Sequence, residues 1–129
     1  FKDKDEQIQF YLKLAIIAND SKNIKAEIFA LEKLSSLDTQ NLDLKLNLAQ
    51  KLTKQAFGIV TSKSRKLVRE ILEVNPSQPD ALYLAGLTAF QNDRSDLANK
   101  IWLRILELDP NSKYKNLIEE KIINKTKTN

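Results

Sequence analysis

The chain contains no histidine, no cysteine and no methionine. Those absences remove the commonest general base, every thiol nucleophile, and every nitrogen or sulfur metal ligand. Haem ligation through His, Met or Cys goes with them, which leaves only tyrosine among the usual axial ligands. Glycine occurs twice, at Gly58 and Gly86, too far apart to build a phosphate-cradling loop. Apolar runs are short: the longest, residues 14–18, falls well below the roughly 20 residues of a membrane span, and no stretch reads as a signal peptide. The lack of cysteine leaves the compartment open, since such a chain is safe in a reducing cytosol and in an oxidising periplasm alike. The chain opens on Phe1 rather than methionine, and is read as an excised piece from which a targeting or anchoring segment has been cut. No catalytic residue, cofactor, metal or small-molecule substrate is expected.

What is present is globular. The 129 residues, 14.8 kDa, give room for one domain, with 42% apolar and 29% charged residues and a net charge of +4. Leucine, lysine, alanine, glutamate and glutamine are abundant and valine is scarce, which favours helices. Apolar residues recur at spacings of three and four along nearly the whole chain. Ile8, Tyr11, Leu12, Ala15 and Ile16 form a first stripe, and Ile24, Ile28, Leu31, Leu34 and Leu37 a second. Leu44, Leu48, Leu52 and Ala56 give a third, stopped near Gly58. Thr61 or Ser62 is placed to cap a fourth helix carrying Leu67, Val68, Ile71, Leu72 and Val74. A fifth begins at Asp80 after Pro79 and carries Leu82, Ala85, Ala89 and Phe90. Ser95 is placed to cap a sixth with Leu97, Ala98, Ile101, Trp102 and Ile105. Ser112 is placed to cap a seventh over about 113–125, and the polar tail 124–129 is expected to fray. Seven helices with short polar turns make an antiparallel helical array.

The array repeats itself. Glu73-Val74-Asn75-Pro76 and Glu107-Leu108-Asp109-Pro110 lie 34 residues apart, the period of the tetratricopeptide repeat. Residues 79–112 carry that pattern in detail: Leu82, Ala85-Gly86, Ala89, Ala98, Trp102 and Pro110. Small residues at Gly86 and Ala98 let two helices approach, and Trp102 fills the groove beside them. Two weaker copies precede it. Leu48-Ala49 stands where Ala85-Gly86 does, followed by about three extra residues around 57–61; Leu14-Ala15 and Ala18 fit a first copy that lacks the closing proline. The fold is therefore expected to be all-α, a single tetratricopeptide-repeat solenoid with repeats over about 8–41, 42–78 and 79–112 and a C-terminal capping helix.

A narrower resemblance covers residues 41–110. Asn41-Leu42-Asp43-Leu44, the insert Ala56-Phe57-Gly58-Ile59-Val60-Thr61, and Asp80-Ala81-Leu82-Tyr83-Leu84-Ala85-Gly86-Leu87 with Ala89-Phe90-Gln91 and Ile101-Trp102 carry it. In these features the chain resembles the tetratricopeptide domain of bacterial c-type cytochrome biogenesis proteins, of the CcmI/CycH and NrfG type. Two departures are the excess of lysine over arginine, 17 to 4, and the missing proline of the first repeat. The resemblance implies a chaperone module that binds the C-terminal segment of an unfolded apocytochrome c and presents it to the haem-attachment machinery. It also implies a periplasmic domain carried on an inner-membrane anchor that lies outside this sequence.

In such a stack the first helix of each repeat lines a concave groove. The register puts Leu12, Ile16, Leu46, Asn47, Gln50, Lys54, Tyr83, Leu87 and Phe90 there: apolar groups for a partner helix, with amides for a peptide backbone or C-terminal carboxylate. Leu12, Ile16 and Leu87 read equally well as core, and Lys54 as a solvated charge. Charge is unevenly placed. Residues 45–69 hold Lys45, Lys51, Lys54, Lys63, Arg65, Lys66 and Arg69 and no acid. The block suits an anionic membrane, an acidic partner or a nucleic acid, but Phe57 is its only ring and no stacking platform accompanies it, which argues against nucleic acid. Glu119-Glu120 and Asp93 with Asp96 are the nearest paired carboxylates, and neither pair has the shared cleft an acid–base couple needs. A generic scaffold in another assembly and a basic-surface adaptor for nucleic acid or membrane stand as the alternative functions.

Overall fold

Five of the seven helices, the last two excepted, begin where a side chain takes up an orphan backbone N–H. A computed structural model describes residue 1 and residues 3–128, with side chains as far as Ile122; the side chains of the polar tail expected to fray lie outside the described residues. The helices are α1 (Lys4–Asp20), α2 (Ile24–Leu37), α3 (Leu42–Gln55), α4 (Ser62–Val74), α5 (Pro79–Gln91), α6 (Ser95–Leu108) and α7 (Lys115–Thr128). No strand occurs among the described residues, so the chain is all-helical. Asp3, Asn23, Asn41 and Gln78 accept from the amides of Glu6, Ala26, Leu44 and Ala81. Thr61, not Ser62, caps α4, taking the Ser64 amide. The expected cap at Ser95 is a correction: Ser95 is the first helical residue, and Arg94 precedes it with no side-chain cap bond. The seventh helix starts at Lys115, after Ser112 has accepted the Tyr114 amide, and ends at Thr128 rather than near 125.

The turns repeat more faithfully than the residues that make them. After α1, α3 and α5 the chain closes with the same pair of hydrogen bonds, both donated by backbone N–H groups. Lys22 bonds to Asn19 and Asn23 to Ala18; Phe57 to Lys54 and Gly58 to Thr53; Asp93 to Phe90 and Arg94 to Ala89. This is the Schellman arrangement, with Lys22, Phe57 and Asp93 left-handed at φ 57°, 57° and 60°. Gly58 was the expected stop, but Phe57 holds the left-handed closing position and Gly58 follows at φ 91°. After α2, α4 and α6 a second pattern recurs. Asp38, Asn75 and Asp109 donate to the carbonyls of Leu34, Ile71 and Ile105. Counting back from those three carbonyls sets Leu31, Val68 and Trp102 at one equivalent position, and Glu27, Ser64 and Ala98 at another; all six are buried.

The chain divides into two compact units, residues 1–67 and 68–129, the division falling within α4. In the first, α1 packs on α2 and α2 on α3. Ile28, Leu31, Leu34 and Leu48 form its core, with Ile8, Tyr11, Ala15, Ile24, Leu44, Leu52 and Leu67 against them. A buried hydroxyl pair sets the α3–α4 corner: Thr53 and Ser64 both donate to the Ala49 carbonyl, at 2.9 and 3.2 Å. In the second unit α5 packs on α6 and α6 on α7, around Leu82, Ala89, Ala98, Trp102, Ile105 and Ile118. Gly86 makes that packing possible. A Cβ there would fall inside the envelope of the Trp102 indole, whose Nε1 donates to the Tyr83 carbonyl at 3.2 Å. No described helix is long and apolar enough to cross a membrane.

Candidate functional site

The first unit holds an open groove of about 300 Å³. Leu12, Ala15, Ile16, Asn19 and Asp20 of α1 form one wall, Leu44 and Asn47 of α3 the other, and Glu27, Leu31 and Leu34 of α2 the floor. The apolar stripe of α1 therefore splits. Ile8 and Tyr11 face the core, Ala15 touches both core and groove, and Leu12 and Ile16, a turn apart, are 37% and 61% exposed and line the groove. Of the residues expected there, Leu12, Ile16 and Asn47 come together. Leu46 and Gln50 are partly buried and Lys54 is exposed, and none of the three lines the groove.

The polar end of this groove does not follow from helical spacing. Glu27 is only 6% exposed. Its carboxylate accepts from the Asn19 amide at 3.0 Å and pairs with Lys51 at 3.5 Å. A buried carboxylate is tolerated only when charge and hydrogen bonds are both answered, and here one oxygen takes each partner. The signal was present: Glu27 interrupts the apolar face of α2 one position before Ile28. With Asp20 beside it, the groove carries two carboxylates and no basic side chain in its lining.

The three expected groove residues of the second unit pack on its core. Tyr83, Leu87 and Phe90 are all partly buried against the Trp102 cluster. Tyr83 stacks on Tyr114 with centroids 4.3 Å apart and planes 6° from parallel, and on Trp102 at 6.1 Å; Phe90 lies 5.7 Å from Trp102. A polar clasp closes over the Tyr83–Tyr114 stack. The Tyr114 hydroxyl donates to Asp80, and Lys113 pairs with the same carboxylate at 2.9 Å. Burial pushes the Asp80 carboxyl up, but the bonds from Tyr114, Lys113 and Gln78 outweigh it and hold it below its ordinary value. Burial, and then the bond to Asp80, push the Tyr114 hydroxyl up.

A carboxyl depressed in the folded state adds stability that is full above its unfolded value, about 3.9, and is lost as pH falls through the folded one. A phenol raised in the folded state adds stability that is full below its unfolded value, about 10, and is lost as pH rises further. The second unit is thus expected to weaken below about pH 4 and above about pH 10, and Asp80→Asn to flatten the acid limb while leaving the part of the alkaline limb that burial of Tyr114 and Tyr83 causes. Thermal unfolding across pH checks this; an acid limb identical in Asp80→Asn would remove the clasp from the account.

The basic block resolves into different roles. Lys51 is spent on Glu27, and Lys63 pairs with Glu32 at 2.9 Å. Arg65 donates to the Ser62 hydroxyl at 3.0 Å, and Lys54, Arg65, Lys66 and Arg69 are exposed. No protein-family model matches the chain, and no curated protein matches it.

Proposed function

We propose that the chain is a peptide-binding module of the tetratricopeptide type, with the groove of α1, α2 and α3 as its client site. The observation that carries this reading is the exposure of Leu12 and Ile16 over a floor of Leu31 and Leu34, beside the amides of Asn19 and Asn47. Apolar side chains of a client fit the wall, and the amides can answer its backbone. Glu27 is neutralised by Lys51, so it is the exposed carboxylate of Asp20 that favours a client segment carrying a basic residue among its apolar ones. The thrice-repeated turn chemistry and the buried equivalents Leu31, Val68 and Trp102 support three helix-hairpin repeats with α7 as a cap. The sequence resemblance supplies the client and the compartment: the C-terminal segment of an unfolded apocytochrome c, delivered to the haem-attachment machinery on the periplasmic side of a bacterial inner membrane.

Calorimetric titration tests the reading. A C-terminal apocytochrome peptide is expected to bind the native chain, and the folded haem-loaded protein to bind at least about tenfold more weakly. Leu12→Ser with Ile16→Ser is expected to weaken the peptide by about tenfold or more without loss of fold, because both residues are exposed. Equal affinity for the two cytochrome forms would sink the chaperone reading, and an unaffected double variant would sink the groove.

A further inference from the structure

The corners after α1 and α5 each take three residues, 21–23 and 92–94, and place Lys22 and Asp93 at the left-handed position. The corner after α3 takes six, 56–61, and places Phe57 there. Phe57 is 97% exposed, so its ring serves no packing in this chain, yet a left-handed backbone is costly for any residue with a Cβ. Ile59 beside it is 56% exposed. The loop is nonetheless held. Val60 turns inward and is buried, the Ile59 amide donates to Ala56, and Thr61 ties the loop to Ser64. Two apolar side chains are therefore displayed on an anchored tip. The chain on either side carries Lys54 in the last turn of α3 and Lys63, Arg65 and Lys66 in the first turns of α4, with no acid in residues 45–69. Of these four cations, Lys63 already holds Glu32.

We propose that this corner docks on an anionic phospholipid bilayer, with Phe57 and Ile59 entering the headgroup–acyl boundary and Lys54, Arg65 and Lys66 gathering lipid phosphates. Exposed apolar groups flanked along the chain by exposed cations match such a surface on both counts, and neither signal alone holds a protein there stably. The assignment is independent of the groove, which lies among α1, α2 and α3 and uses none of these residues.

Co-sedimentation of the full chain with phosphatidylcholine vesicles, with and without phosphatidylglycerol, tests it. Binding is expected only with the anionic lipid, and is expected to weaken as salt shortens the Debye length from about 10 Å at 0.1 M. Phe57→Gly is the decisive variant: it relieves the left-handed strain, so Tm is expected to rise by a few degrees while vesicle affinity falls by about tenfold. Lys54→Glu with Lys66→Glu is expected to give a similar loss and to leave peptide affinity within about twofold. In Phe57→Trp, lipid brominated in its acyl chains is expected to quench emission that it does not quench in the native chain, whose Trp102 is buried. No sedimentation, equal binding to neutral vesicles, unchanged binding of Phe57→Gly, or no added quenching would each overturn the proposal. So would tighter binding to a single-stranded oligonucleotide at the same salt, which would assign the block to nucleic acid instead.

Discussion

Gly86→Leu is expected to unfold the α5–α6 hairpin while α1 and α2 keep their protection. Trp102 is completely buried, its indole N–H is committed to the Tyr83 carbonyl, and its ring sits where the first carbon of any side chain at position 86 would go. The indole cannot swing away, because Phe90 and Tyr83 stand against it. Overpacking of this kind costs about 3 kcal/mol or more, a large share of the roughly 5–15 kcal/mol that holds a domain together. The change falls in the second compact unit and α1 and α2 in the first, so native-state hydrogen exchange, which reads each separately, is the measurement. Protection over residues 82–105 should vanish and that of residues 24–37 should persist. Even Gly86→Ala collides with the indole, and Trp102→Leu introduced alongside it should restore much of the loss. Unchanged exchange in Gly86→Leu would refute the packing of α5 on α6.

Trp102→Ala is expected to cost about 3–5 kcal/mol, the range for deleting the largest aromatic side chains from a core. The change empties the centre of the second unit's cluster, leaves the Tyr83 carbonyl without its donor, and strips Tyr83 and Phe90 of their ring partner. Urea unfolding followed by circular dichroism gives the number. Trp102→Phe separates the contributions, keeping most of the apolar area while losing the N–H. A cost below about 1 kcal/mol for Trp102→Ala would mean that the site collapses around the gap, contrary to the rigid stacking of Tyr83 on Tyr114.

All seven helices were legible because their apolar stripes are regular and their breaks fall on Asn, Asp, Ser and Pro or, after α3, beside Gly58. Boundaries were less so. Ser95 has the chemistry of a cap but sits inside the helix, and the left-handed turn went to Phe57 although a glycine stood next to it. Residue type ranks such positions; the hydrogen bonds of the preceding turn decide them. The groove was half legible. Leu12, Ile16 and Asn47 follow from helical spacing, whereas Glu27 with Asn19 and Lys51 depends on three helices meeting. Periodicity assigns a residue to a face and says nothing of what stands opposite. For the same reason Tyr83 and Phe90 read as groove anchors, since nothing in the spacing of α5 discloses that Tyr114 arrives 31 residues later to stack on one of them.

The position shared by Glu27, Ser64 and Ala98 has a consequence for how the hairpins can be ordered. Buried in all three, it holds a carboxylate, a hydroxyl and a methyl group in turn. Ser64 and Ala98 ask nothing of a following hairpin, since Ser64 is answered by the preceding Ala49 carbonyl and Ala98 carries no polar group. Glu27 does ask: its counter-ion, Lys51, comes from α3, the next helix along. The hairpin of α1 and α2 can therefore be followed only by one that offers a cation at that place, and moved to another rank it would strand a charge in its own core. Shuffled or duplicated versions of this chain would sort by that rule. A single buried ion pair thus ties the α1–α2 hairpin to the helix that follows it in the chain.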